Sequence, residues 1–152
     1  MSYDVQTKEL PDVLALNVSR TVSMATIGQA VGEAFMAIAA HAQASGARLN
    51  GPPFCVYPDL PEDEFEVRVC MPVASGAEAS ADVSLDVVPG GVAASTLHRG
   101  PYSAIGESYE ALGAWIALNG FAPTGPPREV YLNDPGSVPE SELLTEVLWP
   151  YA

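Results

Sequence analysis

The sequence predicts an α+β fold of two pseudo-symmetric β-α-β-β repeats sharing an antiparallel sheet, with both helices on one face and a ligand cleft on the other. Two recurrences and one alternation lead there. Ile27, Val31, Ala34 and Ile38 return 78 positions later as Ile105, Tyr109, Leu112 and Ile116, and apolar residues spaced by three and four are what one buried helix face requires. Gly51-Pro52-Pro53 returns as Gly125-Pro126-Pro127, and Val56-Tyr57 as Val130-Tyr131, both after 74 positions. Strand candidates surround each helix, and Phe65, Val67, Val69 and Met71 alternate with polar neighbours as a strand buried on one side does. A unit this small cannot bury its sheet face alone, so the two are expected to associate about a pseudo-two-fold axis.

Taken in order, the chain reads as one domain over 1–152, with repeat one over 1–74, a linker over 75–82 and repeat two over 83–152. A first strand is expected over 13–18, after the Pro11-Asp12 turn. Thr26 with Gln29 three residues on predicts a capping box at the start of the first helix, and Ser45-Gly46 predicts its end, because glycine takes the left-handed cap without steric cost. A short strand follows over 54–57, then an acidic turn over 59–64, then the alternating strand over 65–71. The linker, Ser75 to Asp82, is small and polar. Strands over 84–88 and 92–97 flank Pro89-Gly90-Gly91, and the second helix is expected to begin at Tyr102 and end at Asn119-Gly120. Trp149-Pro150 closes the last strand where Met71-Pro72 closed its counterpart.

Composition narrows the function classes. At 152 residues and 48% hydrophobic content there is one real core. Six Lys+Arg against 19 Asp+Glu give a net charge of −13, which leaves no basic stripe to neutralise phosphates and argues against direct nucleic-acid binding. No run of about 18 apolar residues and no basic-then-apolar leader occurs, so a cytoplasmic protein without membrane contact is expected. Cys55 and Cys70 fall in apolar strands, apart from His41 and His98, and read as reduced core thiols; no metal or cofactor is expected.

The last strand, over 143–150, carries the candidate site. Alternation sets Glu146 beside Leu144 and Leu148, with Leu143, Thr145, Val147 and Trp149 on the opposite face. A carboxylate among aliphatic side chains loses hydration worth several kcal/mol, so it must be protonated, paired, or held at the wall of a water- or ligand-filled cavity. Three readings stand: a cavity wall, a strand end reaching solvent, or an ion pair with Arg68, which occupies the repeat-matched position. Tyr57, Tyr131, Trp149 and Tyr102 are the expected aromatic walls of such a cavity, since rings offer wide contact and a negative face to cations. Trp115 and Tyr109 fall with the second helix's apolar stripe and are expected in the core. His98 and Glu107 could act as acid and base, but a strand-end histidine and a first-turn glutamate are more often solvated.

Gly100-Pro101-Tyr102, the helix with Tyr109 and Trp115 closing at Asn119-Gly120, Val130 to Pro135, and Thr145-Glu146-Val147 before Pro150 together resemble the GyrI-like small-molecule-binding family. Its members also occur as the effector-binding domain of AraC-type and MerR-type regulators. The resemblance implies an aromatic pocket between the two halves, with Glu146 meeting cationic or polar parts of lipophilic drugs. Three functions then compete. The first is a stand-alone binding protein for lipophilic small molecules such as drugs or antibiotics, cationic ones among them, with a link to drug resistance. The second is a hydrolase of cyclopropane-bearing alkylating natural products in which Glu146 activates water and is the catalytic residue. The third is a protein inhibitor of DNA gyrase acting through an acidic surface. Gyrase or a regulator would be the protein partner.

Overall fold

Strands in this chain are grouped by pairing rather than by sequence order. The structure, a computed structural model, describes residues 3–58 and 63–152; residues 59–62 of the expected acidic turn lie outside them. Its elements are β1 (Gln6–Leu10), β2 (Val13–Val22), α1 (Ile27–Ser45), β3 (Phe54–Val56), β4 (Phe65–Pro72), β5 (Ser84–Val88), β6 (Gly91–Arg99), α2 (Gly106–Leu118), β7 (Arg128–Tyr131) and β8 (Leu144–Pro150). Every pairing described below is antiparallel, and the class is the mixed α+β predicted from the sequence. Among the described residues no helix is long and apolar enough to cross a membrane.

Two compact units emerge. One is Asp12–Pro89, where β4 pairs with β3 and β2, and β2 pairs with β5. The other joins the residues up to Pro11 with Gly90–Ala152; there β8 pairs with β7 and β6, and β6 pairs with β1. Each unit is thus a β-α-β-β repeat, β2-α1-β3-β4 or β6-α2-β7-β8, extended by one strand. That strand is taken from just before the other repeat. This differs from the expected division into 1–74 and 83–152 with a linker between. Segment 75–82 lies inside the first of these units, where the Ser80 N–H donates to the Val83 carbonyl at 2.8 Å and the His41 ring meets the Glu78 carbonyl at 2.6 Å. Gly90 marks the return into the second unit, because a Cβ there would come within 2.0 Å of the Leu10 carbonyl oxygen.

In the first unit α1 packs on β2 and β4, and Ala34, Ile38 and Ala42 carry its stripe into the core. Gly46 closes the helix at φ 72° as expected. The expected capping box does not form. Thr26 already has helical dihedrals, so the turn begins at Ser23, whose N–H donates to Thr26 Oγ1 at 2.9 Å, while Gln29 turns to Glu33 at 3.1 Å. In β4, Phe65, Val67 and Val69 are buried as predicted, but Cys70 is buried and Met71 only half-buried. Both cysteines are buried thiols.

The other unit centres on Ala94, Leu112, Ile116 and Val147, with Ile105, Tyr109, Trp115 and Trp149 packed around them. Here α2 lies on β6 and β8, and burying one aliphatic side chain of this size contributes about 1.5–3 kcal/mol. The predicted helix start at Tyr102 is instead a separate 3-10 turn, Tyr102–Ala104, and α2 proper begins at Gly106.

Candidate functional site

Register decides which side chains can meet. In the β7–β8 pair, Glu129 lies opposite Val147 and Tyr131 opposite Thr145, while Val130 lies opposite Glu146. Directly opposed residues share a face, so Glu129, Tyr131, Thr145, Val147 and Trp149 lie on the α2 side. Glu146 and Leu148 lie on the other. The predicted aromatic walls Tyr131 and Trp149 therefore do not share a face with the predicted carboxylate Glu146.

The carboxylate that does share it is Glu129. It is 8% exposed; Tyr109 Oη donates to Oε2 at 2.6 Å and Tyr131 Oη donates to Oε1 at 3.1 Å. Around it the rings meet edge to face: Tyr109 on Trp149 with centroids 6.1 Å apart, and Tyr102 on Tyr131 at 5.7 Å. Tyr109, expected in the core, is there and also reaches this carboxylate through its hydroxyl. Trp115 packs with Tyr151 at 5.5 Å, on the core side as expected. Beside Tyr131, Thr145 Oγ1 is buried with no hydrogen-bond partner among the described residues. Chemically this is a largely buried carboxylate held by two tyrosine hydroxyls, with edge-to-face ring pairs on both of those tyrosines. Such a site favours a bulky organic cation or a polar aromatic molecule over a hydrated metal ion. Among the described residues no group of three or more His, Cys, Asp or Glu is placed to hold a metal.

On the opposite face, Glu146 is 14% exposed at its side chain and forms an ion pair with Lys8. Ser95 Oγ donates to the same oxygen, Oε2, at 2.7 Å. Both contacts fall on one oxygen, which leaves Oε1 without a partner among the described residues. A cavity of about 570 Å³ opens here, lined by Tyr3, Asp4, Gln6, Lys8, Ser95, Thr96, Leu97, Leu132 and Glu146. The cation at Glu146 is thus Lys8 and not Arg68. Arg68 meets Asp86 at 3.8 Å, and Asp86 also accepts from Asn17 Nδ2 at 3.0 Å. Lys8 was out of reach of the repeat argument because β1 is a polar edge strand whose pairing with β6 leaves no apolar alternation. Tyr57 follows β3 in the other unit and is half-buried.

His98 is 2% exposed, not the solvated strand-end residue that its position suggested. Its Nε2 faces the Pro101 carbonyl at 2.9 Å and its Nδ1 faces Tyr3 Oη at 3.0 Å. Glu107 is exposed, in the first turn of α2.

A family model described as the GyrI-like small molecule binding domain matches residues 3–152. The chain belongs to this family. Comparison with curated proteins finds no match. Among solved structures the GyrI-like chain is similar to the C-terminal domain of EcmrR, with a TM-score of 0.87 and 24% identity over 100% of this chain and 99% of that one. It spans 57% of the EcmrR chain in a DNA complex, with a TM-score of 0.84 and 23% identity over 98% of this chain. A hydrolase from Listeria innocua aligns at a TM-score of 0.76 and 15% identity, covering 97% of this chain and 91% of that one. SAV2435 bound to tetraphenylphosphonium aligns at 0.63 and 13% identity, covering 100% and 94%. At these identities the likeness is one of fold. Within the GyrI-like fold of this chain, Glu129 is the residue that sequence reasoning passed over. Its signal was legible, since alternation in Glu129-Val130-Tyr131 puts an acid and a ring on one face.

Proposed function

We propose that this GyrI-like domain is a receptor for lipophilic small molecules, cations among them, and that Glu129 is the acidic group at its centre. One observation carries the reading: a carboxylate 8% exposed accepts two neutral tyrosine hydroxyls on the face that also carries the Tyr102 and Trp149 rings. Water competes weakly for such a carboxylate, so a cation with diffuse charge gains both its field and the ring faces. Tetraphenylphosphonium, the ligand of SAV2435, has that chemistry. Tyr131, Trp149 and Tyr102 keep their role as walls. Titrating tetraphenylphosphonium against tryptophan fluorescence is expected to give a micromolar Kd, on the order of −8 kcal/mol. A flat titration up to the millimolar range contradicts the reading.

A hydrolytic reading draws on a different observation, the open Oε1 of Glu146 at the cavity wall. There Glu146 would take a proton from water while Lys8 holds its other oxygen and Ser95 orients it; Arg68 has no place in that step. Turnover of a cyclopropane-bearing alkylator that disappears in Glu146→Gln supports it, and no turnover by the intact protein excludes that substrate class. Inhibition of DNA gyrase, or signalling to a regulator, rests on the charge of −13 and on family membership alone.

A further inference from the structure

Resting on the receptor reading, we propose that His98 is a positioning residue whose protonation weakens the binding of cations at Glu129. The argument is a count of protons. Nε2 lies 2.9 Å from the Pro101 carbonyl, an acceptor only, so Nε2 carries hydrogen whether the ring is neutral or charged. In the neutral ring Nδ1 is then an acceptor, and it takes the single hydroxyl proton of Tyr3, 3.0 Å away. Glu107 Oε2, 3.5 Å from the same hydroxyl, is left facing an oxygen with no proton between them. The distances agree with this state, because an O–H···O bond ordinarily spans about 2.5–3.0 Å. Burial first, then the Glu107 charge, push the Tyr3 phenol up from 10.0, so the hydroxyl keeps its proton at neutral and mildly acidic pH.

Protonating His98 reverses the order of donors. Nδ1–H donates to Tyr3 Oη, and the Tyr3 proton turns to Glu107, so one hydrogen bond becomes two. The groups facing the ring are Tyr3 from the N-terminal segment, Pro101 ahead of the 3-10 turn, Glu107 from α2, and Thr145 in register from β8. Asp4 and Lys8 line the cavity on the other face, and Arg99 follows His98 on the opposite side of β6. The consequence reaches the candidate site through α2: Glu107 is two residues from Tyr109, so the tightened Tyr3–Glu107 bond restrains the turn of α2 that covers Glu129. Through Pro101 the ring holds the turn that presents Tyr102 to Tyr131 in both protonation states. A carboxylate 8% exposed admits a bulky cation only if the rings around it yield, so the added restraint weakens binding.

The test combines ligand binding with a ligand-free readout. Tetraphenylphosphonium affinity is measured by calorimetry at pH 5.5 and 7.5, either side of the range where histidine ordinarily titrates, for the intact protein, Tyr3→Phe and Glu107→Gln. In parallel, the ring signals of His98, Tyr102 and Tyr131 are followed by NMR over the same pH range without ligand. The expected results are affinity about fivefold weaker at pH 5.5, a ratio near one in both variants, and Tyr102 and Tyr131 signals that move with His98 only in the intact protein. Equal affinity at both pH values, or the same pH ratio in Tyr3→Phe, overturns the coupling. If tetraphenylphosphonium does not bind at either pH, the receptor reading fails. The NMR titration then decides the coupling separately: tyrosine signals indifferent to His98 overturn it, and signals that follow His98 sustain it.

Discussion

Glu129 and Glu146 sit on adjacent strands of one sheet, and their neighbours give them different chemistry. Two tyrosine hydroxyls hold Glu129 among rings, whereas Lys8 and Ser95 hold one oxygen of Glu146 at a cavity wall. A cation approaching Glu146 must displace an ammonium already in place. Removing the Lys8 charge, as in Lys8→Met, is expected to lower stability by less than about 1 kcal/mol, since the lysine is 46% exposed and solvent screens the pair. The difference between the two proteins should shrink as salt is raised, and thermal melts at low and high salt check it. Tyr131→Phe removes one charge-assisted hydrogen bond that orients the Glu129 carboxylate and is expected to weaken cation binding by about 1.5–3 kcal/mol, measured by calorimetry with tetraphenylphosphonium.

At the scale of elements, the helical stripes carry most of the packing. Leu112 is fully buried against Ile116, Val147 and Ala94, so Leu112→Ala should cost about 2–5 kcal/mol. Met36, on the outer face of α1 and 73% exposed, should change stability by less than about 0.5 kcal/mol when cut to alanine. Urea unfolding of the two variants checks the contrast. These stripes, the glycine that ends α1 and the strands β4 and β8 were legible in the sequence, because a 3.6-residue period and a two-residue period are direct imprints of burial, while β3, β5 and β7 were marked by the Pro-Gly turns beside them. What was not legible has a physical reason in each case. β1 shows no period because four of its five residues are exposed. The start of α2 was misplaced because Tyr102 to Ala104 has helical composition but forms a tighter turn. His98 read as a surface residue because nothing local announces that Tyr3, 95 positions away, covers it.

On the scale of the molecule, each repeat borrows the strand that precedes the other, so the N-terminal segment is part of the fold of Gly90–Ala152. Deleting residues 1–10 should strip β6 of one of its two partners, leaving β8, and remove Lys8 and Tyr3 together. Amide protection is then expected to fall in β6 and β8 while β2 and β4 stay protected, and equal loss in all four strands would argue against unit-wise packing. Family and fold were readable from the order of Gly100-Pro101-Tyr102, Val130 to Pro135 and Thr145-Glu146-Val147, and alternation alone put Glu129 on the face of Tyr131. The resemblance pointed to Glu146, whereas the register of β7 on β8 puts Glu129, and not Glu146, on the face of Tyr131 and Trp149. The most direct test therefore sets Glu129→Gln beside Glu146→Gln and measures tetraphenylphosphonium affinity by calorimetry. Loss of a charge-assisted contact worth about 1.5–3 kcal/mol predicts a drop of roughly 10- to 150-fold for Glu129→Gln, with Glu146→Gln within about twofold of the intact protein. The reverse pattern, Glu146→Gln impaired and Glu129→Gln intact, would contradict the account.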